Sequence, residues 1–210
     1  MTRATFAGVS GEAERLEALW AGDFGDEYVD RNAAAAQGRR PFWVQRHEQL
    51  GFSSALEIGW NMGGNLRHLV ELLGVENVAG VDINEHALEV LRRDVPGVDV
   101  RIARARELPF GDASFDLVFT TGVLIHQPPE ELAQVMDEIV RTSRRYVLCG
   151  EYKAEDVEEV PYRGHEGALF RNDYGRLYQE RFPALELVEE GFLPKSEGVW
   201  DDLTLWVFAK

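Results

Sequence analysis

From about residue 54 onward the chain alternates short apolar runs with segments whose apolar positions recur every three or four residues. That alternation predicts strands each followed by an amphipathic helix, the grammar of an α/β sheet. "SALEIG" reads as the first strand, "GNLRHLVELLG" as a helix closed by Gly74, "NVAGVDI" as the second strand, and "EHALEVLRRDV" as a helix stopped before Pro96. "VDVRIA" and "FDLVFTTG" are the third and fourth strands, "PEELAQVMDEIVRTS" a helix with Pro near its first turn, and "RYVLCGEY" the fifth strand. The pattern then changes: "VPYRGHEG" reads as a loop, "ALFRNDYGRLYQERFP" as a helix, and "LELVEEGFL" with "LTLWVFAK" as closing strands able to pair as an antiparallel edge. The first 50 residues read as helical, through "EAERLEALW" and "RPFWVQRHEQL".

Composition narrows the function. A chain of 210 residues with 45% hydrophobic content is expected to bury one core as a single domain, residues 1–210, with a helical segment 1–50 ahead of a sheet core 51–210. A net charge of −15 would repel polyanions, so nucleic acids and anionic membranes are poor partners and a small molecule is the better one. The lone Cys149 excludes an internal disulfide framework. No apolar run of roughly 18 residues occurs and the first 20 residues lack a continuous apolar core, so the expectation is a soluble, cytoplasmic protein. The five histidines form no H-x-x-x-H pair, so no metal is expected, and neither a G-x-S-x-G elbow nor a P-loop lysine is present.

The most informative stretch is "ALEIGWNMGGNL", residues 55–66, at the turn from the first strand into its helix. Ligands of open parallel sheets sit at such turns. A dinucleotide fold needs its backbone to approach a pyrophosphate at the second glycine of G-x-G-x-x-G, but this chain runs Gly59, Asn61, Gly63, Gly64. Glu57, two residues before the first glycine, would repel a diphosphate and favour a ligand carrying an ammonium and a sulfonium. Asp82, at the end of the second strand, is placed to accept from two ribose hydroxyls, although it could also cap the next helix.

With these motifs in order, "LEIGWNMGGNL", "VDINEHAL", "ELPFGDASFDLVFT" and "GVLIH", the chain resembles the class I S-adenosylmethionine-dependent methyltransferases. A narrower likeness, through "LWAGDFGDEYVDRN", "FTTGVLIHQPPEEL" and "GEYKAEDVEEVPYRGHEGALFRNDYG", is to the pseudaminic acid biosynthesis-associated methylases. The resemblance implies a Rossmann-like, seven-stranded, mostly parallel sheet whose last strand is antiparallel, with helices on both faces. It implies S-adenosyl-L-methionine as cofactor. Gly59, Asn61 and Gly63 would shape the backbone against its methionine part, Glu57 would support its ammonium side, Asp82 would hold the ribose, and Ile83 would pack on adenine. Arg104 replaces a common acidic residue, so the backbone around Ala105 and Arg106 would read adenine, and Thr120 is assigned to the same cofactor set.

The remaining candidates surround the expected crevice. "FGDEYVDRN" could fold over the cofactor, with Tyr28, Arg31 and Asn32 touching it, or could simply pack Phe24 and Tyr28 into the core. His126, after the fourth strand, could take a proton from an acceptor, as could Glu151, and His165 could orient the acceptor. Tyr152, Tyr162, Arg163 and Arg171 would suit a carboxylate or phosphate on the acceptor, unless the arginines merely neutralise the run Glu155, Asp156, Glu158 and Glu159. Trp200, Asp201 and Asp202 fit either a pocket mouth or a turn. The expected activity is methylation of a small, anionic metabolite, such as O-methylation of a sugar or carboxylate in a biosynthetic step. The alternatives are a NAD-dependent oxidoreductase on a Rossmann fold and a non-catalytic cofactor-binding protein. Oligomeric state leaves no mark on the sequence.

Overall fold

The computed structural model describes residues 11–31 and 38–210. Asn32 therefore lies outside the described residues. Helices α1 (Gly11–Ala21), α2 (Asp23–Arg31) and α3 (Arg40–Leu50) precede the sheet. The core then follows as β1 (Ala55–Ile58), α4 (Leu66–Leu73), β2 (Val78–Asp82), α5 (Glu85–Asp94), β3 (Asp99–Ile102), β4 (Phe115–Thr121), α6 (Leu132–Thr142) and β5 (Ser143–Glu151). Short strands β6 (Glu158–Glu159) and β7 (Phe170–Arg171), helix α7 (Tyr174–Arg181) and strands β8 (Glu186–Leu193) and β9 (Leu203–Ala209) complete it.

The sheet order is β3-β2-β1-β4-β5-β9-β8. Strands β1 to β5 pair in parallel, whereas β9 inserts antiparallel between β5 and β8. Order reverses between β1 and β4, because the chain steps outward from β1 to β3 and then crosses back to β4. Right-handed crossovers consequently put α4 and α5 on one face and α6 on the other, which opens a crevice at the carboxyl ends of β1 and β4. β1 is buried along its whole length and β4 on five of its seven positions, which is why both read as nearly unbroken apolar runs.

Two segments differ from the sequence reading. Residues 168–183 are not one helix: Ala168, Leu169 and Phe170 are buried and non-helical, with Phe170 in β7, and α7 starts only after Asp173, whose carboxylate accepts from the Arg176 amide at 2.9 Å. "VPYRGHEG" is the tip of a hairpin rather than an open loop. β6 pairs with β7, the Val160 amide donates to Leu169 at 2.8 Å, and Tyr162 and His165 exchange two backbone bonds of 2.9 Å. Arg163 (φ 50°) and Gly164 (φ 87°) both sit left-handed at its two-residue turn, the geometry that matches strand twist in such hairpins. Within the N-terminal segment, α3 is part of the core: Trp43 is fully buried and stacks 4.6 Å from Phe119 of β4. The helices that lie over the crevice are α1 and α2.

Candidate functional site

Two adjoining hollows form one cleft at the topological switch, sharing Tyr28, Gly59, Asn61, Gly122 and His126. The first, about 930 Å³ of non-atom space counted out to open solvent, runs between α1 and the ends of β1, β2 and β3. That suits a nucleoside-sized ligand.

Its floor comes from the turn after β1. Gly59 (φ 71°) has to be glycine twice over, since an added Cβ would also stand 2.5 Å from the Val123 side chain. Asn61 takes the left-handed conformation (φ 49°), where asparagine is better tolerated than most residues, and its buried Oδ1 has no hydrogen-bond partner. Asp82 ties this turn to the next: Oδ2 accepts from the Asn61 amide at 3.0 Å, and Oδ1 from the amides of Ile83 (2.7 Å) and Asn84 (3.0 Å). Desolvation nevertheless raises its pKa. The cap of α5 is Asn84, whose side chain accepts from the Ala87 amide, so Asp82 is left to face the cleft. Ile83, Ala105 and Arg106 line the same hollow, together with Arg104 and Ala103.

The lid over this hollow is pinned through two residues of α1. Glu17 of α1 accepts from Arg106 Nε and Arg104 Nε, each at 2.8 Å, while Arg15 donates to the carbonyls of Glu166 and Gly167. About one turn further along, the Trp20 ring lies 4.4 Å from His126 and edge-on 5.2 Å from Tyr28. The ring also presents a buried indole N–H without a partner on a wall of the hollow. Tyr28 lines both parts of the cleft, whereas Arg31 is spent on Glu27 (3.3 Å) and on the rings of Phe24 and Tyr28, away from the lining.

The second hollow is lined by Glu57, Arg39, Asn65, Thr121, Tyr152, Tyr162, Arg163, Trp200 and Asp201, among others. Glu57 is 1% exposed, and burial pushes its pKa up to about 8 against the opposing pull of Asn65 and Arg39. Its Oε1 accepts from Asn65 at 2.6 Å, while Oε2 has no hydrogen-bond partner. Of the three candidate proton-handling groups, only His126 lines the cleft. Its Nδ1 lies 2.6 Å from the Ala168 carbonyl; a carbonyl can only accept, so Nδ1 carries the proton and Nε2 the lone pair. Burial holds its pKa down to about 4, which keeps the ring neutral at physiological pH.

Glu151 is placed elsewhere. Fully buried, it accepts from the amides of Val123 (3.2 Å) and Ile125 (3.3 Å), and so fixes the turn that carries His126. His165 packs edge-on against Phe24 at 4.8 Å and is not part of the lining. Thr120 is 1% exposed within β4, beneath the cleft, and Arg171 stands exposed on the β6–β7 ribbon opposite Glu158. These four depart from the cleft because strand alternation and the hairpin direct them away from it. Sequence reasoning overlooked Arg39, Asn65, Glu17 and Trp20; only Asn65, the last polar residue of the glycine turn, carried a signal. Asp201 accepts from the Tyr152 hydroxyl (2.7 Å) and from Lys195 (2.6 Å) at the cleft mouth. Among the described residues, no group of His, Cys, Asp and Glu is arranged to hold a metal ion.

The architecture can now be set beside known proteins. Residues 55–145 match the model of the family described as "Methyltransferase domain". Over those residues the chain is similar to methyltransferase domains. Solved structures that share the fold hold S-adenosylmethionine or S-adenosylhomocysteine. Phthiotriol/phenolphthiotriol dimycocerosates methyltransferase 1 of Mycobacterium ulcerans is 29% identical over 100 residues, covering 47% of this chain and 36% of that protein. O-methyltransferase cnsE of Penicillium expansum is 28% identical over 123 residues, covering 55% of this chain and 44% of its own length. The chain thus matches less than half the length of either relative. A crystal structure of the Burkholderia thailandensis 1,6-didemethyltoxoflavin-N1-methyltransferase, with bound 1,6-didemethyltoxoflavin and S-adenosylhomocysteine, shares the fold with a TM-score of 0.67 at 17% identity, over 98% of this chain and 93% of that one. The fold is therefore that of the class I methyltransferases.

The residues present fit S-adenosyl-L-methionine, the cofactor that the sequence motifs imply. The unpartnered Asn61 Oδ1, Glu57 Oε2 and Trp20 indole N–H all belong to residues lining the cleft. A buried carboxylate oxygen without a partner is costly unless a cation or donor completes it, and an α-ammonium would do so.

Proposed function

We propose that the protein is an S-adenosylmethionine-dependent methyltransferase acting on a small, anionic metabolite, with O-methylation of an acidic sugar or a carboxylate as the reaction. The observation that carries the reading is the cleft itself: the turn at Gly59 to Gly63 and Asp82 on one side, and neutral His126 with Tyr152, Tyr162 and Arg163 on the other, meeting at shared lining residues. The narrower resemblance to pseudaminic acid-associated methylases supports an acidic sugar.

When bound, the cofactor supplies an electrophilic methyl group. This chain's residues have three tasks around it. The aromatic lid of Trp20 and Tyr28 excludes water, which raises the reactivity of the acceptor oxygen. Arg163, exposed at the mouth with its guanidinium 5.7 Å from the Tyr162 ring, draws and orients an anion. The lone pair on His126 Nε2 takes the proton of a hydroxyl acceptor as its oxygen is methylated, a step a carboxylate acceptor does not require.

The test is transfer of labelled methyl from S-adenosylmethionine to a panel of acidic sugars, small carboxylic acids and their neutral analogues. Label in acidic members alone supports the reading. Transfer to neutral members alone overturns the anionic acceptor while leaving the cofactor in place.

A further inference from the structure

The methionine end of the cleft contains a charge arrangement beyond the residues assigned so far. Asn65 immediately precedes α4, where an asparagine side chain ordinarily caps the helix, yet it makes no cap bond. All its hydrogen bonds point elsewhere. Oδ1 accepts from Arg39 Nη1 and from Trp43 Nε1, both at 3.2 Å; Nδ2 donates to Glu57 Oε1 at 2.6 Å and to Thr121 Oγ1 at 3.2 Å. Two donors on one side and a carboxylate on the other leave this amide a single orientation.

Arg39 is held in turn by the Val199 carbonyl (3.4 Å) and by stacking 4.2 Å above the Trp200 ring. It and Glu57 line the same hollow without forming an ion pair with each other among the described residues. The amide stands between them. A guanidinium and a carboxyl group kept apart in a buried site complement a zwitterion, the carboxyl ionising as the ammonium arrives, whereas a collapsed pair would satisfy only itself.

We propose that Arg39 takes the carboxylate of the cofactor's amino-acid end, and that Asn65 is the positioning residue that holds Arg39 away from Glu57 and leaves Glu57 to the ammonium. The proposal rests on the S-adenosylmethionine reading above and extends it to Arg39, which no motif marks, and to Asn65 at the end of the glycine turn.

Three probes separate the charges: S-adenosylhomocysteine carries both, decarboxylated S-adenosylmethionine lacks the carboxylate, and 5′-methylthioadenosine lacks both. The full-length protein and its Arg39→Met, Arg39→Lys and Asn65→Ala variants are titrated calorimetrically with each. Arg39→Met should weaken S-adenosylhomocysteine by roughly 10- to 100-fold, the scale of one charge-assisted bond, and leave the other two probes nearly unchanged. Arg39→Lys should recover part of that loss. Asn65→Ala should weaken both ligands that carry the ammonium and spare 5′-methylthioadenosine. The readout is a ratio of affinities within each variant, so a general loss of folded protein does not imitate it. Equal weakening of all three probes by Arg39→Met would make Arg39 a structural residue and overturn the proposal alone. Failure of the unaltered protein to bind S-adenosylhomocysteine would remove the cofactor reading and the proposal together.

Discussion

The adenosine side of the cleft and the acceptor side are built by different means. The first is made of strand ends and their turns, Gly59 to Gly63, Asp82, Ile83 and Ala103 to Arg106, where backbone amides and one carboxylate do the holding. The second is assembled from side chains scattered from Tyr28 to Asp201, projecting from helices, a hairpin and the β8–β9 connection. The first kind of surface is rigid because the sheet fixes it, and it serves a ligand that does not vary. The second can be rebuilt residue by residue without disturbing the sheet, which is how one fold accommodates many acceptors.

That contrast separates binding from turnover. For a hydroxyl acceptor, His126→Asn should lower turnover by about 10²- to 10⁴-fold, the usual worth of a positioned base. S-adenosylhomocysteine affinity should change little. Because burial holds the His126 pKa near 4, the rate should also show no acid limb near pH 6.5. A large loss of cofactor affinity would erase the distinction between the two sides. Asp82→Ala tests the opposite side: it removes the ribose acceptor and frees three backbone amides. Calorimetry should register at least a roughly 10-fold loss for S-adenosylhomocysteine; unchanged binding would sink the ribose assignment.

A smaller effect concerns pH. Glu57 and Glu151 titrate near 8 and 7 in the fold, above the ordinary carboxylate value of 4.5. The folded chain therefore holds protons that the unfolded chain has released, and stability is lost as pH rises through these values. Thermal melting of the cofactor-free protein should drop between about pH 5 and 8, and Glu57→Gln should flatten the upper part by a few degrees. An unaltered profile would mean that Glu57 is ionised before the cofactor arrives. The smallest effect belongs to the lid. Glu17→Gln weakens its hold on Arg104 and Arg106 and should speed S-adenosylhomocysteine release a few-fold in stopped flow, the scale of partly exposed ion pairs.

The same contrast explains what the sequence disclosed. Sheet strands, the glycine turn and Asp82 are legible because each is a local pattern: a strand's apolar run, a left-handed turn, a carboxylate at a strand end. The inserted position of β9 is legible only as an edge pairing. Thr120 has no local pattern that ties it to the cofactor, and its buried side chain in β4 lines neither hollow. Residues 168–173 look helical because α7 follows directly, and the extended pairing of Phe170 with Glu159 is a long-range choice that no helical period records. Arg39 sits before Pro41 with nothing local to mark it, since its partners Asn65, Val199 and Trp200 meet it only in three dimensions.

The central claim is that the turn at residues 59–65 receives a sulfur nucleotide carrying an amino-acid end and excludes a dinucleotide. Parallel calorimetric titrations with S-adenosylmethionine, S-adenosylhomocysteine and NAD test it directly. The account predicts saturable binding of both sulfur nucleotides at one site per chain, with no heat from NAD at the same concentrations. Binding of NAD without the sulfur nucleotides would contradict it, and would assign Asn61 and Glu57 to a pyrophosphate they were argued to reject.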